Sequence, residues 1–398
     1  MKKIISKSRA EGKITLPTSK SMAHRLLIAA ALCKGQTSRI YGITPSDDVL
    51  ATIDCLTAMG VKIELRGEAM EVVGIDFSKA DVSRPLNCRE SGSTLRFLIP
   101  LCLLSDGEAT LIGSEKLISR PQSVYEEIAT LKKADDRILL SGELKAGEYK
   151  VPGNISSQFI TGLLFALSTL QGDSRIVITT EIESRSYIDL TIAAMAEFGV
   201  RAHWEDSSTL LIPGGQTYGA QEIKVEGDWS GAAFIEAFNH LGGKVELLGI
   251  SESSLQGDRI CIEHFKSLDR GYCEINIEDC PDLGPILFTM AAIKNGAKFL
   301  GTKRLKIKES DRALAMKTEL QKFGAELVIE ENTVTVLPRE LHAPKEVLYG
   351  HNDHRIVMSL AVISTLFGGE IDGCEAVKKS YPNFFEDIKT LGIITHDT

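Results

Sequence analysis

No apolar run in this 398-residue chain approaches the roughly 20 residues that a helix needs to cross a bilayer, so no membrane span is expected. Its eight cysteines contain no CxxC pair, the spacing most often used to hold structural zinc. Reduced thiols packed as small hydrophobes are expected instead, with Cys33, Cys55 and Cys102 on apolar helix faces and the protein in the cytoplasm. No GxxxxGKS or GxxxxGKT run occurs, which disfavours a kinase or ATPase of the P-loop kind. The lysines of MKKIISKSRAEGKI are not followed by an apolar core, so a secretory signal is not expected. Positive charge is in deficit, 45 Lys and Arg against 54 Asp and Glu, and the net charge of −9 argues against a nucleic-acid partner.

What is present is a repeat. The chain is 43% hydrophobic, long enough for about two domains with large cores. Six apolar, helix-length stretches open on a short polar or glycine-rich run, near Lys20, Gly92, Ser156, Ser230, Asp282 and Asp353. They close at Gly35, Gly107, Gly172, Gly243, Gly296 and Gly368, and a strand-like run usually follows. A second helix-glycine-strand signature trails five of them, at Gly60, Gly199, Gly271, Gly324 and Gly392. Each unit therefore reads as βαβαββ, with glycine supplying the left-handed turn that ends each helix. After Gly107 the second signature is missing and KKADD stands in its place. A shortened second unit is expected there, with a helix end and a strand lost between Ile128 and Ile138.

The polar residues at the six helix starts share a chemistry. They include Lys20, Ser21 and Arg25 in PTSKSMAHR, Gly92 and Arg96 in ESGSTLR, and Ser156, Ser157 and Gln158 in GNISSQF. Asp282 in CPD and His354 and Arg355 in NDHR continue the pattern. Any one of these starts is explained by ordinary N-capping. Their recurrence in one structural phase points instead to anion binding, since helix N-termini present unpaired N–H groups and a positive dipole end. Equivalent units place equivalent edges together, so two groups of three starts are expected to face each other across a cleft. Arg120, Arg185, Lys308, Arg312 and Lys379 add cations at element boundaries, with Lys308 and Arg312 four apart on one expected helix face and Glu309 beside them. Such a set suits a small, multiply anionic ligand, with Asp282 and Glu309 as candidates for proton transfer.

The runs LPTSKSMAHR, SDD, ESGSTLR, SRP, GNISSQF, SRSYID, CPD, IKESDR, NDHR and KSYP occur in that order along nearly the whole chain. In this it resembles the 5-enolpyruvylshikimate-3-phosphate synthase family. The resemblance implies an α/β (α+β) two-domain enolpyruvyl transferase fold of six βαβαββ units, three per domain. Residues 1–19 would join 227–398 in one domain, and 20–226 would form the other, with the active-site cleft between them. It implies transfer of the enolpyruvyl group of phosphoenolpyruvate to the 5-hydroxyl of shikimate 3-phosphate, through a tetrahedral intermediate and with release of phosphate. No metal or cofactor is implied, the only partners are the two small-molecule substrates, and a monomer is expected.

Carried over motif by motif, Lys20 would touch both substrates, while Ser21, Arg25, Ser156, Ser157, Gln158, Ser184, Asp282 and Lys308 would hold shikimate 3-phosphate. Gly92, Arg120, Arg312, Arg355 and Lys379 would bind phosphoenolpyruvate, with Gln158 close to it. Asp282 would take the proton of the 5-hydroxyl, and Glu309 would protonate the methylene carbon with Lys20 and His354 assisting. The chemistry asks for such a pair, because the hydroxyl is a weak nucleophile and phosphoenolpyruvate turns electrophilic only when its methylene is protonated. Gly92 keeps the family's small residue, so inhibition by glyphosate is expected. Arg89 and Glu90 stand where many members have Gly and Asn, and Arg304 where many have Asn; Arg304 receives no role. Two alternatives remain beside this reading: the sister transferase acting on UDP-N-acetylglucosamine, which typically has Asn after the lysine where Ser21 stands here, and a non-catalytic repeat module. Two crossings between domains make a hinge, and about eight cations in an empty cleft are expected to resist closure until a dianionic ligand binds.

Overall fold

The computed structural model describes residues 1–397. Backbone contacts divide the chain into two compact units, residues 1–17 with 227–398, and residues 18–226. No helix among the described residues is long and apolar enough to cross a membrane.

In the unit 18–226, three four-stranded sheets share one arrangement, a parallel pair followed by two antiparallel neighbours. Strand Thr37–Tyr41 pairs in parallel with Glu222–Lys224 and antiparallel with Ala69–Val73. Leu86–Asn87 with Ala109–Ile112, and Glu148–Val151 with Ser174–Ile178, repeat the parallel step. In the other unit Cys273–Asn276 and Ala297–Leu300 do the same. There the chain's first strand, Lys2–Ile5, is sandwiched between Gly369–Asp372 and Thr395–Asp397. Its second, Glu11–Thr15, forms a two-stranded sheet with Lys244–Leu248.

The six apolar helices run over Lys20–Ala31, Gly92–Cys102, Ser157–Leu167, Trp229–His240, Gly284–Ile293 and His354–Phe367. Five begin on a side-chain cap, from Ser19, Ser91, Ser156, Asp228 and Asp353. The helix Gly284–Ile293 has none: Pro281–Leu283 form a short 3-10 turn before it, which leaves the Asp282 carboxylate for other partners. The Gly92 and Ser157 helices meet at close range, since a Cβ on Gly162 would lie 2.5 Å from the Arg96 carbonyl. Pro100 lacks the N–H that would have bonded that carbonyl, and the buried Tyr125 hydroxyl donates to it instead at 2.6 Å.

Three sequence expectations need correction. The second repeat loses no strand: Thr130–Lys133 and Arg137–Ser141 complete its sheet, and KKADD is the end of one strand and the turn to the next. What is reduced is the second helix, present as two single turns, Glu115–Ile118 and Ser123–Glu126. Left-handed glycine does not end every helix, because Gly242 rather than Gly243 takes the positive φ and Gly107 takes none. Finally, Lys308 and Arg312 do not share a helix. A 3-10 turn ends at Ile307, and Asp311 caps a new helix, Arg312–Gln321.

Candidate functional site

In the unit completed by 227–398, the predicted cations converge on one carboxylate. Asp282 Oδ1 accepts from Lys308 Nζ at 3.2 Å and from Arg312 Nη1 at 2.9 Å, while Oδ2 accepts from Arg355 Nη2 at 2.7 Å. Burial pushes this carboxyl up, but Arg355, Lys308 and Arg312 outweigh burial and hold it well below the ordinary aspartate range. Arg312, itself 1% exposed, also donates to Glu309 Oε2 at 2.8 Å and to Asp353 Oδ2 at 2.8 Å. Its pKa is raised although burial opposes this, because Asp353, Glu309 and Asp282 surround it. Lys308 is lowered by burial, with Asp282 working the other way.

Three of the cations, Lys308, Arg312 and Arg355, therefore face three carboxylates, Asp282, Glu309 and Asp353, within one unit. His354 is buried at the start of its helix with Nδ1 3.9 Å from Asp353 Oδ1. Lys379, on the 3-10 helix Cys374–Lys379, reaches the Asn352 carbonyl at 2.5 Å. That carbonyl is presented by two consecutive left-handed residues, His351 and Asn352, an uncommon conformation that these two residue types adopt more readily than most.

The unit 18–226 carries a second group. Gly92, first residue of its helix, leaves space that Arg120 and Gln158 approach: a Cβ there would meet Arg120 Nη1 at 3.1 Å and Gln158 Oε1 at 3.3 Å. Gln158 accepts from Arg96 Nη1 at 2.8 Å and donates to Ser93 at 3.1 Å, and Ser156 lies 3.4 Å from the same Arg96 nitrogen. Lys20 Nζ pairs with Asp48 at 2.8 Å.

Arg25 differs from a free anion binder. Four of the five N–H groups of a guanidinium are engaged, by Thr191, the Ser21 carbonyl, Thr161 and the Tyr187 carbonyl. Burial lowers its pKa to about 10. Ser157 is buried on the first turn of its helix, and Ser184 precedes the helix Arg185–Glu197 in a left-handed conformation. Arg304, left without a role, is buried in the 3-10 turn Lys303–Ile307. Arg89 is left-handed and pairs with Asp54 at 2.6 Å.

Sequence reasoning missed Asp48 and Asp353 as partners of the site cations. Both sit in quoted runs, SDD and NDHR, where an acid at a helix start reads as a cap before it reads as an ion-pair partner.

A family model described as EPSP synthase (3-phosphoshikimate 1-carboxyvinyltransferase) matches residues 4–272 and 266–388. A 3-phosphoshikimate 1-carboxyvinyltransferase of Clostridium perfringens (strain ATCC 13124) is 40% identical over 421 residues, covering 98% of this chain and 99% of the relative. Its counterpart in Clostridioides difficile (strain 630) is 40% identical over 422 residues, covering 97% and 96%. Among solved structures, EPSP synthase from Acinetobacter baumannii superposes with a TM-score of 0.79 at 20% identity over 100% of both chains. The enolpyruvyl transferase NikO from Streptomyces tendae gives 0.76 at 14% identity over 99% and 98%. At such identities these two structures speak for the two-domain fold alone.

Proposed function

The chain belongs to the EPSP synthase family and catalyses enolpyruvyl transfer from phosphoenolpyruvate to shikimate 3-phosphate, and we propose that it does so with Asp282 as the base and its surrounding cations as the anion holders. The observation that carries this assignment is the convergence of Lys308, Arg312 and Arg355 on the two oxygens of Asp282. Substrate anions would compete with that carboxylate for the same donors.

Phosphoenolpyruvate brings a carboxylate and a phosphate, each able to take a guanidinium bidentately. Arg312, Arg355, Lys379, Arg120 and Gln158, with the open space at Gly92, are its proposed ligands. Shikimate 3-phosphate is assigned to Ser21, Ser156, Ser157, Gln158, Ser184, Lys308 and the remaining N–H of Arg25, with Lys20 touching both substrates. As substrate anions take over the cations, Asp282 loses the charges that depress its pKa and becomes a competent base for the 5-hydroxyl. Glu309 accepts from Arg312 at 2.8 Å; once substrate anions draw Arg312 away, it can take up a proton and is the proposed acid that delivers it to the methylene carbon, assisted by Lys20 and His354. Addition of the 5-oxygen then gives a tetrahedral intermediate with a methyl group, and elimination breaks its C–O bond to phosphate while the methyl group gives a proton back to the acid, which returns the enol ether and inorganic phosphate.

The sister activity on UDP-N-acetylglucosamine is not favoured, since the family match and the quoted relatives are both described by shikimate 3-phosphate. Unpaired thiols throughout the described residues support a reducing, cytoplasmic setting, and a monomer is proposed, to be checked by light scattering against 43.4 kDa. The test of the reaction is release of inorganic phosphate from phosphoenolpyruvate. It is expected only when shikimate 3-phosphate is present; release that is indifferent to it, or that needs UDP-N-acetylglucosamine, would overturn the assignment.

A further inference from the structure

Beneath the candidate residues of the unit 18–226 lies a chain of polar side chains in an otherwise apolar core. His24 Nδ1 lies 2.8 Å from Thr52 Oγ1, and Thr52 Oγ1 lies 2.7 Å from Thr94 Oγ1. Thr94 donates to Ser91 Oγ at 2.7 Å and is 3.3 Å from the Asp48 carbonyl. His24, Thr52, Thr94 and Ser91 are all fully buried, each at 0% exposure. Apolar side chains of the same shape would be the less costly way to fill such positions, because every buried polar atom must find a partner.

The positions have a common geometry. His24 is one helical turn after Lys20, and Thr52 is one turn after Asp48, the partner of Lys20 at 2.8 Å. Ser91 and Thr94 bracket Gly92, with Ser91 capping the helix through the Thr94 amide at 3.1 Å. One buried layer thus touches the three helices whose first turns carry Lys20, Asp48 and Gly92. We propose that His24, Thr52 and Thr94 are positioning residues that fix the spacing between the Lys20 ammonium and the Gly92 helix start, and so set the phosphoenolpyruvate subsite on this unit. The proposal rests on the assignment of Lys20 and Gly92 to phosphoenolpyruvate made above.

Proton counting orders the chain. Thr94 has one hydrogen, directed to Ser91 or to the Asp48 carbonyl, so it accepts from Thr52. Thr52 has then spent its own hydrogen and accepts from His24, which fixes the Nδ1–H tautomer. His24 Nε2 is left as a buried nitrogen with no hydrogen-bond partner among the described residues. Burial, and then Lys20 and Arg25 nearby, hold the ring well below its usual pKa, so it stays neutral.

Thr52→Val removes the hydroxyl at constant shape, and Thr52→Ser keeps it. The expected result is about a tenfold rise in KM for phosphoenolpyruvate in Thr52→Val, with KM for shikimate 3-phosphate changed less than about threefold and Thr52→Ser near wild type. Equal changes in both constants, or none, would overturn the proposal, since a merely structural loss does not select one substrate. Two readouts need no turnover and separate this inference from the functional assignment itself. Amide exchange in a peptide spanning residues 91–96 is expected to quicken in Thr52→Val relative to the rest of the unit, and unchanged exchange counts against a positioning role for the buried layer. Nitrogen NMR of the wild-type protein is expected to show His24 as the Nδ1–H tautomer; the Nε2–H form would refute the ordering even if no variant folded.

Discussion

Arg312 donates to Asp282 at 2.9 Å, so a candidate phosphoenolpyruvate ligand and the candidate base neutralise each other. Asp282→Asn removes the base and releases three cations from their common carboxylate. Turnover is expected to fall by roughly 10²–10⁴-fold, the usual size of a general-base contribution. KM for phosphoenolpyruvate is expected to stay level or drop, because the amide no longer competes with substrate anions for Lys308, Arg312 and Arg355. Steady-state kinetics in both substrates check this, and a rise in KM with unchanged turnover would assign Asp282 to binding alone.

Much of this arrangement is visible in the sequence, because local rules place it. Ser19, Ser91, Ser156, Asp228 and Asp353 are N-cap residue types in front of apolar runs, and they mark five of the six helix starts. The misread positions are those where a short-range pattern had two outcomes. Lys308 and Arg312 have helical spacing, yet Asp311 between them is a cap, and Leu314 N donates to it at 3.1 Å. Thr130–Lys133 is short and mostly exposed, so no apolar alternation announced the strand. The pairing of Asp48 with Lys20 and the His24 layer were hidden for a different reason. They depend on which helices are neighbours in space, which no local pattern specifies.

Gly92 marks the tightest point beside Arg120 and Gln158. A Cβ there meets Arg120 Nη1 at 3.1 Å and Gln158 Oε1 at 3.3 Å, so both side chains must retreat by a few tenths of an ångström. Gly92→Ala is therefore expected to fold normally and to raise KM for phosphoenolpyruvate by about tenfold, with little change for shikimate 3-phosphate. Wild-type enzyme is expected to be inhibited by glyphosate competitively with phosphoenolpyruvate. Full activity under millimolar-order inhibitor would count against that expectation.

Asp258 is a buried carboxyl that receives the Ser230 hydroxyl on Oδ2 and has no hydrogen-bond partner on Oδ1. Burial and then Asp282 push its pKa up from 3.8 to about 6, with Arg355 pulling down and Asp228 adding to the rise. A carboxyl with its folded-state pKa above the unfolded value contributes stability at low pH, and that contribution is lost as pH rises through about 6. At pH 7.5 the ionised group is a net cost of roughly 1–3 kcal/mol. Asp258→Asn is accordingly expected to raise Tm by a few degrees at pH 7.5 and to show no gain at pH 4. Calorimetry at the two pH values decides, and a loss of stability at pH 7.5 would mean that the charge is needed in place.

Glu319 holds the turn that presents the end of the cation cluster. Its buried carboxylate accepts from His351 Nε2 at 2.8 Å, from the Tyr349 amide at 2.9 Å and from Lys322 Nζ at 2.8 Å. These bonds clamp the left-handed pair His351 and Asn352, and the following residues are Asp353, which binds Arg312, and Arg355, which binds Asp282. Burial raises the Glu319 pKa, but His351, Lys322 and the Tyr349 amide together bring it below the ordinary value of 4.5. Its stabilising contribution is therefore present above that value and lost as pH falls through the depressed one. Glu319→Gln turns one acceptor oxygen into a donor facing donors, so two left-handed residues lose what holds them. Stability is expected to drop by about 1–3 kcal/mol, and KM for phosphoenolpyruvate to rise because the Lys379 contact with Asn352 lies on the released turn and Arg355 lies in the first turn of the helix that follows it. Thermal unfolding together with kinetics tests the two effects as a pair. A destabilised variant with an unaltered KM would show that the turn keeps its shape without the clamp.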